Sequence, residues 1–348
     1  MLSFDNHFND RLPLSHRLTR TLCTLHECRG KEALFRQQMP QVLETLRQCA
    51  VIQSVESSNR IEGIVAKRGR LKAIVQENSE PRDRSEAEIA GYREVLDIIH
   101  ASHDGIRLSN GIVKQFHQQL FSKTDEVGGA WKAAPNVIQR QYPDGTKETR
   151  FEPPPPHLTD ALMANLNSGF RQLVTEHEID PLLAVPAYVL DFLCIHPFRD
   201  GNGRMARLLT LLLLYQQGYG VGRFISLEKI VEGSRESYYE TLHASSQGWN
   251  EGDHNLTPWT EYLLGTIVDA YRRFEKRVKD TTQKRGSKTR LIEAAIDAAI
   301  GDFSAQDILA QCPGASLDLV RRILKDQKAL GHIESLGMGR AAKWRRTR

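Results

Sequence analysis

Apolar residues recur at the spacing of an α-helix through most of this chain, and the alternation typical of strands is scarce. Val42, Leu46 and Cys49, for example, fall at i, i+4 and i+7, which places them on one face of a helix. Residues 137–151 differ, because two short β-prone runs flank the turn residues Pro143, Asp144 and Gly145. The sequence therefore predicts a mostly α-helical fold with one β-hairpin.

A chain of 348 residues is long enough for more than one domain. Residues 1–80 are predicted to form an N-terminal helical region and residues 81–275 a helical core. Ser85 and Glu88 fit a capping box where the core begins. Residues 276–288 are basic and polar, which predicts a linker before a compact C-terminal unit. That unit spans residues 289–348.

The C-terminal unit shows three helical patterns followed by two β-prone runs, an order that predicts a winged helix-turn-helix. Ser304 and Ser316 are predicted to cap the second and third helices, and Gly331 to end the third. The third helix carries an outward-facing basic set: Arg321, Arg322, Lys325 and Lys328. Basic residues in this place suit duplex DNA, and docking of another protein is the alternative.

Composition limits the classes of protein to which the chain can belong. Five cysteines are scattered without any C-x-x-C pair, which indicates free thiols and a cytoplasmic location. No apolar run is long enough to span a membrane, and the N-terminus lacks the features of a signal peptide. A formal net charge of +4 by itself implies no nucleic acid partner. Oligomeric state is left open, with a homodimer among the alternatives.

The stretch HPFRDGNGRMAR, residues 196–207, lies between two apolar runs that are predicted to be helices. Gly201 and Gly203 allow the backbone to approach a ligand closely where the second helix begins. Free N–H groups at a helix N-terminus bind anions. Arg204 and Arg207 are three residues apart, so they share one face near that N-terminus. This arrangement suits a polyphosphate.

Two further residues of the stretch add reactive groups. Asp200 stands at the edge of the predicted phosphate site, where a carboxylate is the expected ligand of Mg²⁺. His196 lies on the same loop, and a histidine can accept a proton near neutral pH. A plain turn with surface charges would account for any one of these residues, but all of them together indicate phosphate-transfer chemistry.

The stretch resembles the signature of the Fic family, His-x-Phe-x-Asp/Glu-Gly-Asn-Gly-Arg-x-x-Arg. Every specified position is matched, by His196, Phe198, Asp200, Gly201, Asn202, Gly203, Arg204 and Arg207. The resemblance extends over about residues 85–270. It implies a Fic-type helical bundle in which the hairpin at 137–151 is a flap that aligns a target segment by strand addition.

The resemblance implies AMPylation, the transfer of AMP from Mg·ATP to a hydroxyl of a target protein with release of pyrophosphate. It makes His196 the base that deprotonates the attacking hydroxyl and Asp200 the ligand of Mg²⁺. The other matched positions have supporting roles: Gly201, Asn202 and Gly203 bind the α- and β-phosphates, Arg204 and Arg207 hold the outer phosphates, and Phe198 anchors the loop. Tyr238 and Tyr239 border the adenine or are core aromatics, and both alternatives stay open.

A second resemblance lies upstream, in SSNRIEG, where Ser58 and Glu62 are four residues apart on one helix face. The string is similar to the inhibitory motif of the Fic family, Ser/Thr-x-x-x-Glu-Gly/Asn. There the glutamate pairs with the second arginine of the signature, here Arg207, so that ATP binds only in a non-productive pose. The resemblance therefore implies an enzyme inhibited by its own helix at about residues 50–63.

Other functions remain open at this stage. Glu62 could instead position a water molecule, which would make the chain a hydrolase that removes AMP from a modified protein. A regulator that binds DNA through residues 289–348 and senses nucleotide with its Fic domain is a different class of function. Self-modification is an expected readout, whereas the target protein and the base of the nucleotide are not encoded in any pattern of the sequence.

Overall fold

The computed structural model describes residues 2–5, 7–38, 40–67, 69–77, 79–142, 144–176, 179–282, 287–299, 301–312, 315–337 and 342–347. The protein is mostly helical, as predicted. Twelve helices of the described residues precede the C-terminal unit: α1 (Phe8–Arg11), α2 (His16–Gln38), α3 (Pro40–Ile61), α4 (Arg70–Glu77), α5 (Arg84–Ser102), α6 (Asn110–Leu120), α7 (Thr159–Thr175), α8 (Pro181–Ile195), α9 (Asn202–Gln216), α10 (Leu227–Gly233), α11 (Arg235–Ser246) and α12 (Thr257–Thr282). None of the described helices combines the length and the apolar character that crossing a membrane requires.

Helices α8 and α9 form the centre of the main core. Nearly every side chain of both helices is buried, which is the pattern of helices that are surrounded by protein on all sides. The two helices pack against each other, and α5, α7 and α12 cover them. The loop that joins α8 to α9 is therefore held at both ends by buried helices of the main core.

The predicted hairpin is present, with β1 at Ile138–Gln141 and β2 at Lys147–Phe151. The strands are antiparallel and pair Gln141 with Lys147 next to the turn. Arg140 of β1 and Arg150 of β2 both donate to Glu240 Oε1 of α11, at 2.9 and 3.2 Å. One carboxylate thus holds both strands beside α11. Pro143 of the turn lies outside the described residues.

Helix α3 covers the predicted inhibitory helix as far as Ile61, and Glu62 lies in the turn that follows. The helix packs against α5, α9 and α10, so it crosses the main core next to the loop between α8 and α9. The helix ends at Ile61, and Gly63 follows with a φ of +80°, as expected for a glycine that ends a helix. The chain leaves α3 directly beside the start of α9.

The C-terminal unit has its own small core and comprises α13 (Ser287–Ala298), β3 (Asp302–Ser304), α14 (Ala305–Ala310), α15 (Leu317–Ala329), β4 (Ile333–Ser335) and β5 (Lys343–Arg346). Ser304 and Ser316 cap α14 and α15 as predicted. The strands form an antiparallel sheet in the order β3-β5-β4. Strand β3 was not predicted from the sequence. The winged helix-turn-helix interpretation of this order stays a prediction.

The region predicted as a linker, residues 276–288, differs from the expectation at its start. Helix α12 continues to Thr282, and α13 begins at Ser287, while residues 283–286 lie outside the described part of the chain. Val278 explains the continuation, because it is buried in the main core and fixes this turn of α12. Helix α13 packs on α12 and α3. The division into domains at these boundaries stays a prediction.

Candidate active site

His196 is the last residue of the turn that closes α8, and its backbone is in the left-handed region, with φ 47° and ψ 62°. It is the sole non-glycine with positive φ among the described residues, a conformation found at functional sites. Its Nδ1 is 3.2 Å from the Leu193 carbonyl oxygen. Because a carbonyl only accepts, Nδ1 carries the proton and Nε2 keeps its lone pair. Burial lowers the pKa of His196 to about 4, so the ring is neutral near pH 7.

A segment before the hairpin supports the backbone of the loop. Lys132 Nζ donates to the Ile195 carbonyl oxygen at 2.9 Å, and burial lowers the pKa of Lys132 to about 8. Asn136 Nδ2 donates to the carbonyl oxygens of His196 and Phe198, at 3.2 and 3.1 Å. Neither residue was predicted as part of the site, since neither lies in a recognisable motif. They hold His196 in its unusual backbone conformation.

Phe198 anchors the loop, as the resemblance implies. Its buried ring stacks on His117 with 3.7 Å between the ring centroids. His117 Nδ1 accepts from the Gly129 N–H, which leaves Nε2 to donate to the Asp200 carbonyl oxygen at 3.0 Å. Asn202 is buried and uses both ends of its side-chain amide on the backbone of Phe198. The side chain of Asn202 therefore shapes the loop and does not line the cavity beside it.

The backbone packs closely against other side chains at the two glycines of the signature. Gly201 has a φ of +77°, and a Cβ added there would lie 2.9 Å from the ring of Phe121. A Cβ added to Gly203 would overlap Glu62 Oε1. The backbone at the start of α9 is thus open on the side where Glu62 lies, and a helix N-terminus on this side attracts negative charge.

Asp200 is exposed beside this helix N-terminus. Its Oδ1 accepts from the Gly201 N–H at 2.6 Å, and its Oδ2 is 3.9 Å from Arg204 Nη2. No group of three or more histidine, cysteine, aspartate or glutamate side chains that could hold a metal ion occurs among the described residues. A single carboxylate nevertheless fits Mg²⁺ beside a polyphosphate, because this ion keeps most of its water ligands.

Arg204 is buried and forms an ion pair with a neighbouring helix. Its Nη1 is 2.5 Å from Glu88 Oε2 of α5, and its guanidinium lies over the ring of Phe121. It does not line the cavity described below. The predicted capping box of Ser85 and Glu88 is wrong, because α5 begins at Arg84 and Asp83 is its N-cap. Glu88 therefore lies inside the helix and faces Arg204.

We expect Glu88→Ala to lower the free energy of unfolding by about 3 kcal/mol, because it leaves the buried Arg204 guanidinium without its carboxylate. Urea unfolding followed by circular dichroism measures this loss. Asp97→Ala is the matched control, since Asp97 lies on the same helix in a half-exposed pair with Arg93. The control is expected to cost less than about 1 kcal/mol. Equal losses in both variants would contradict the structural role of the Glu88–Arg204 pair.

Arg207 contacts both residues of the predicted inhibitory motif. Its Nε donates to Ser58 Oγ at 2.8 Å, and its Nη2 donates to the Ser58 carbonyl oxygen at 2.9 Å and to Glu62 Oε1 at 2.8 Å. Burial alone would lower the pKa of Arg207, but the carboxylate of Glu62 and the hydroxyl groups of Tyr238 and Tyr92 together outweigh burial and raise it. The structure thus brings together three residues from two distant parts of the chain.

A cavity of about 800 Å³ opens beside these groups, a size typical of small-molecule sites. Six predicted site residues line it: Glu62, His196, Gly203, Arg207, Tyr238 and Tyr239. Tyr238 is buried against Trp259, whereas 41% of Tyr239 is exposed. The two tyrosines are therefore a wall of the cavity, and Tyr238 is also part of the core. Residues of both strands of the hairpin also line the cavity.

Comparison with known proteins agrees with this geometry. Residues 107–214 match the model of the Fic/DOC family. The chain is 33% identical over 88 residues to a probable protein adenylyltransferase of Aquifex aeolicus, which covers 25% of this chain and 27% of that protein. It is 27% identical over 230 residues to protein adenylyltransferase fic-1 of Caenorhabditis elegans, covering 64% of this chain and 41% of the relative. The matches thus span less than half the length of these two relatives.

Two solved structures share the fold. The crystal structure of a Fic family protein from Desulfovibrio desulfuricans G20 aligns with 97% of this chain and 98% of its own, with a TM-score of 0.63 and 20% identity. A structure of Fic-1 from Caenorhabditis elegans aligns with 74% of this chain and 71% of its own, with a TM-score of 0.56 and 21% identity. The family match shows that residues 107–214 belong to a domain of the Fic/DOC family, and the two structures show that the chain shares their fold.

Proposed function

We propose that this chain is a cytoplasmic protein adenylyltransferase that transfers AMP from Mg·ATP to a hydroxyl side chain of a target protein. One observation carries the proposal. The neutral His196, with its Nε2 free, shares a cavity with the open N-terminus of α9 and with Arg207. A base, an anion site and a cationic side chain are the parts that phosphate transfer needs.

In the proposed reaction, the oxygen of the target hydroxyl attacks the α-phosphorus of ATP. A new phosphorus–oxygen bond forms, and the bond to the oxygen that bridges the α- and β-phosphates breaks. Pyrophosphate leaves with the electron pair of that bond. The hydroxyl proton moves to Nε2 of His196, which the Leu193 carbonyl holds in the required tautomer. The N–H groups at the start of α9 and the guanidinium of Arg207 balance the charge of the phosphates.

The donor set at the N-terminus of α9 fits a magnesium ion. Asp200 would hold Mg²⁺ through the carboxylate oxygen that faces away from the Gly201 N–H. Bound there with ATP, the ion would neutralise part of the phosphate charge. The side chain is exposed and needs no rearrangement of the core to reach such a ligand.

We also propose that Glu62 inhibits the reaction. Its carboxylate accepts a hydrogen bond from Nη2 of Arg207 and lies against Gly203. Phosphate oxygens would approach the N-terminus of α9 at this same place. A carboxylate at this place repels the phosphates and removes a partner from them. The chain as it stands is therefore expected to have low activity.

The experiment that tests the function is transfer of radiolabel to protein from ATP labelled at the α-phosphate, with Mg²⁺, using the full chain alone and with a cell lysate. Label on the chain itself or on a lysate protein supports transfer of AMP. ATP labelled at the γ-phosphate is the control, since AMP transfer leaves that label in pyrophosphate. If a purified labelled protein loses its label when unlabelled chain is added, removal of AMP is the activity instead.

The basic surface of the C-terminal unit supports a second role, binding of duplex DNA by residues 289–348. Three basic residues on α15 are exposed, namely Arg322, Lys325 and Lys328. We expect the full chain to bind a fluorescent DNA duplex at low salt, with an affinity that falls steeply between about 50 and 200 mM salt. Charge reversal of Lys325 and Lys328 should weaken this binding in an anisotropy titration. Absence of binding at low salt would favour docking of a protein.

A further inference from the structure

Helix α10 holds α3 through two glutamates, Glu228 and Glu232, which are four residues apart and so face the same side. Glu228 Oε2 accepts from Ser54 Oγ at 2.7 Å. Glu232 accepts from Ser57 Oγ at 2.7 Å and from Arg60 Nη1 at 3.0 Å. Successive turns in the last half of α3 thus donate hydrogen bonds to the carboxylates of α10.

The first of these carboxylates is deeply buried. Only 2% of Glu228 is exposed, and its other contacts are the hydroxyls of Tyr92, at 3.1 Å, and of Ser226, at 3.0 Å. Together with Ser54, three hydroxyls donate to one buried carboxylate. Hydrogen bonds to a charged group that water does not reach are strong and directional. Glu228 therefore fixes α3 relative to α5 and α10.

The second carboxylate fixes the rotation and the axial position of α3. Ser57 and Ser58 are neighbours, and Ser57 faces Glu232 while Ser58 faces Arg207. A shift of α3 by one residue would move it by about 1.5 Å and turn it by about 100°. Either change would break the 2.8 Å contact between Glu62 and Arg207. The hydrogen bond between Ser57 and Glu232 thus keeps α3 in the position from which Glu62 reaches Arg207.

We propose that Glu228 and Glu232 are positioning residues that keep α3 in the inhibitory arrangement and set the strength of inhibition by Glu62. The inference rests on the proposed function, since it needs transfer of AMP as the reaction that Glu62 inhibits. Within the described part of the chain, neither glutamate forms a hydrogen bond or an ion pair with Arg207 or with the loop between α8 and α9. Their effect on the reaction therefore passes through α3.

Glu232 is the better position for a test because it is more exposed than Glu228, so its replacement disturbs the core less. Its side chain is 17% exposed, and Lys229 is its remaining partner. Arg60 also pairs with Glu56 of its own helix, so loss of Glu232 leaves no isolated charge on α3. Glu232→Gln keeps the shape of the side chain and removes the charge that holds Arg60.

The experiment measures label transfer from α-labelled ATP by the full chain carrying Glu232→Gln, with Glu62 present and with Glu62→Gly. With Glu62 present, we expect about a fivefold rise, because charged hydrogen bonds to α3 are lost. In the Glu62→Gly background, the same replacement should change transfer by less than about twofold, since no inhibition is left to relieve. Lys229→Met is the matched control, because it removes a charge beside Glu232 without touching α3, and should cause no rise.

A second measurement does not depend on activity. Amide hydrogen exchange along α3 should be faster with Glu232→Gln than in the unaltered chain. An unchanged rate of transfer with Glu62 present, while Glu62→Gly raises it, would overturn the inference and leave the proposed function standing. An equal rise in both backgrounds would also overturn it, since Glu232 would then act on the reaction directly. If Glu62→Gly transfers no label, the proposed function fails, and the inference fails with it.

Discussion

Replacing Glu62 with glycine is expected to raise the transfer of AMP to protein by about 10- to 100-fold, the range of a typical coupling between two sites. The replacement removes the carboxylate from Nη2 of Arg207 and opens the space above Gly203. Arg207 keeps its two hydrogen bonds to Ser58, so its guanidinium stays in place. The phosphates of ATP then find a fixed cation and an open helix N-terminus.

The assay for this prediction is the transfer of radiolabel from the α-phosphate of ATP. Glu44→Gly is the matched control, because Glu44 lies near the far end of α3, the helix that Glu62 directly follows. It is half exposed and pairs with Arg47. A glycine there weakens the helix but leaves Arg207 occupied, and we expect no rise in transfer. A folded Glu62→Gly variant with unchanged or lower transfer would rule out inhibition by Glu62.

The second large effect is expected from His196→Ala in the Glu62→Gly background. Transfer should fall by at least about 100-fold, because a positioned general base contributes that much or more. The alanine removes Nε2, the proton acceptor whose tautomer is fixed by the Leu193 carbonyl. It leaves the hydrogen bonds from Asn136 to the loop backbone, so the phosphate site keeps its shape.

A measurement of ATP binding distinguishes two reasons for lost transfer, namely removal of the general base and disruption of the phosphate site. The thermal midpoint of the His196→Ala variant should rise with ATP and Mg²⁺ as much as that of its parent. Loss of both transfer and binding would mean that His196 is needed for the shape of the loop. Transfer that survives the replacement would exclude His196 as the base and would favour a chain that binds nucleotide without this chemistry.

The sequence is most informative where the functional residues are contiguous. Residues 196–207 lie in one loop and one helix turn, so their order alone places His196, Gly203 and Arg207 together. The contact between Glu62 and Arg207 joins residues far apart in the chain, and only the similarity to a known motif predicted it. Its geometry depends on how α3 packs against α9 and α10, which no local pattern encodes.

The residues that were missed act through hydrogen bonds to groups that are distant in the sequence. Lys132 and His117 are common residue types in ordinary surroundings, and their roles depend on the carbonyl groups that they meet in the folded chain. Glu88 was assigned to a helix cap because it fits that local pattern, whereas its buried partner Arg204 comes from another helix. The length of α12 was also not predictable from the local pattern. One buried side chain, Val278, extends this helix into a polar region.

The contact between Glu62 and Arg207 has a consequence for how activity would depend on concentration. Both partners belong to one chain, so the carboxylate faces the guanidinium at an effective concentration in about the millimolar range or higher, which dilution does not change. The fraction of uninhibited molecules is therefore independent of how much protein is present. A polyphosphate that competes for the same guanidinium is a separate molecule. The fraction of chains in which it replaces Glu62 therefore rises with the concentration of the polyphosphate. The unaltered chain should thus respond to the level of nucleotide and not to its own abundance.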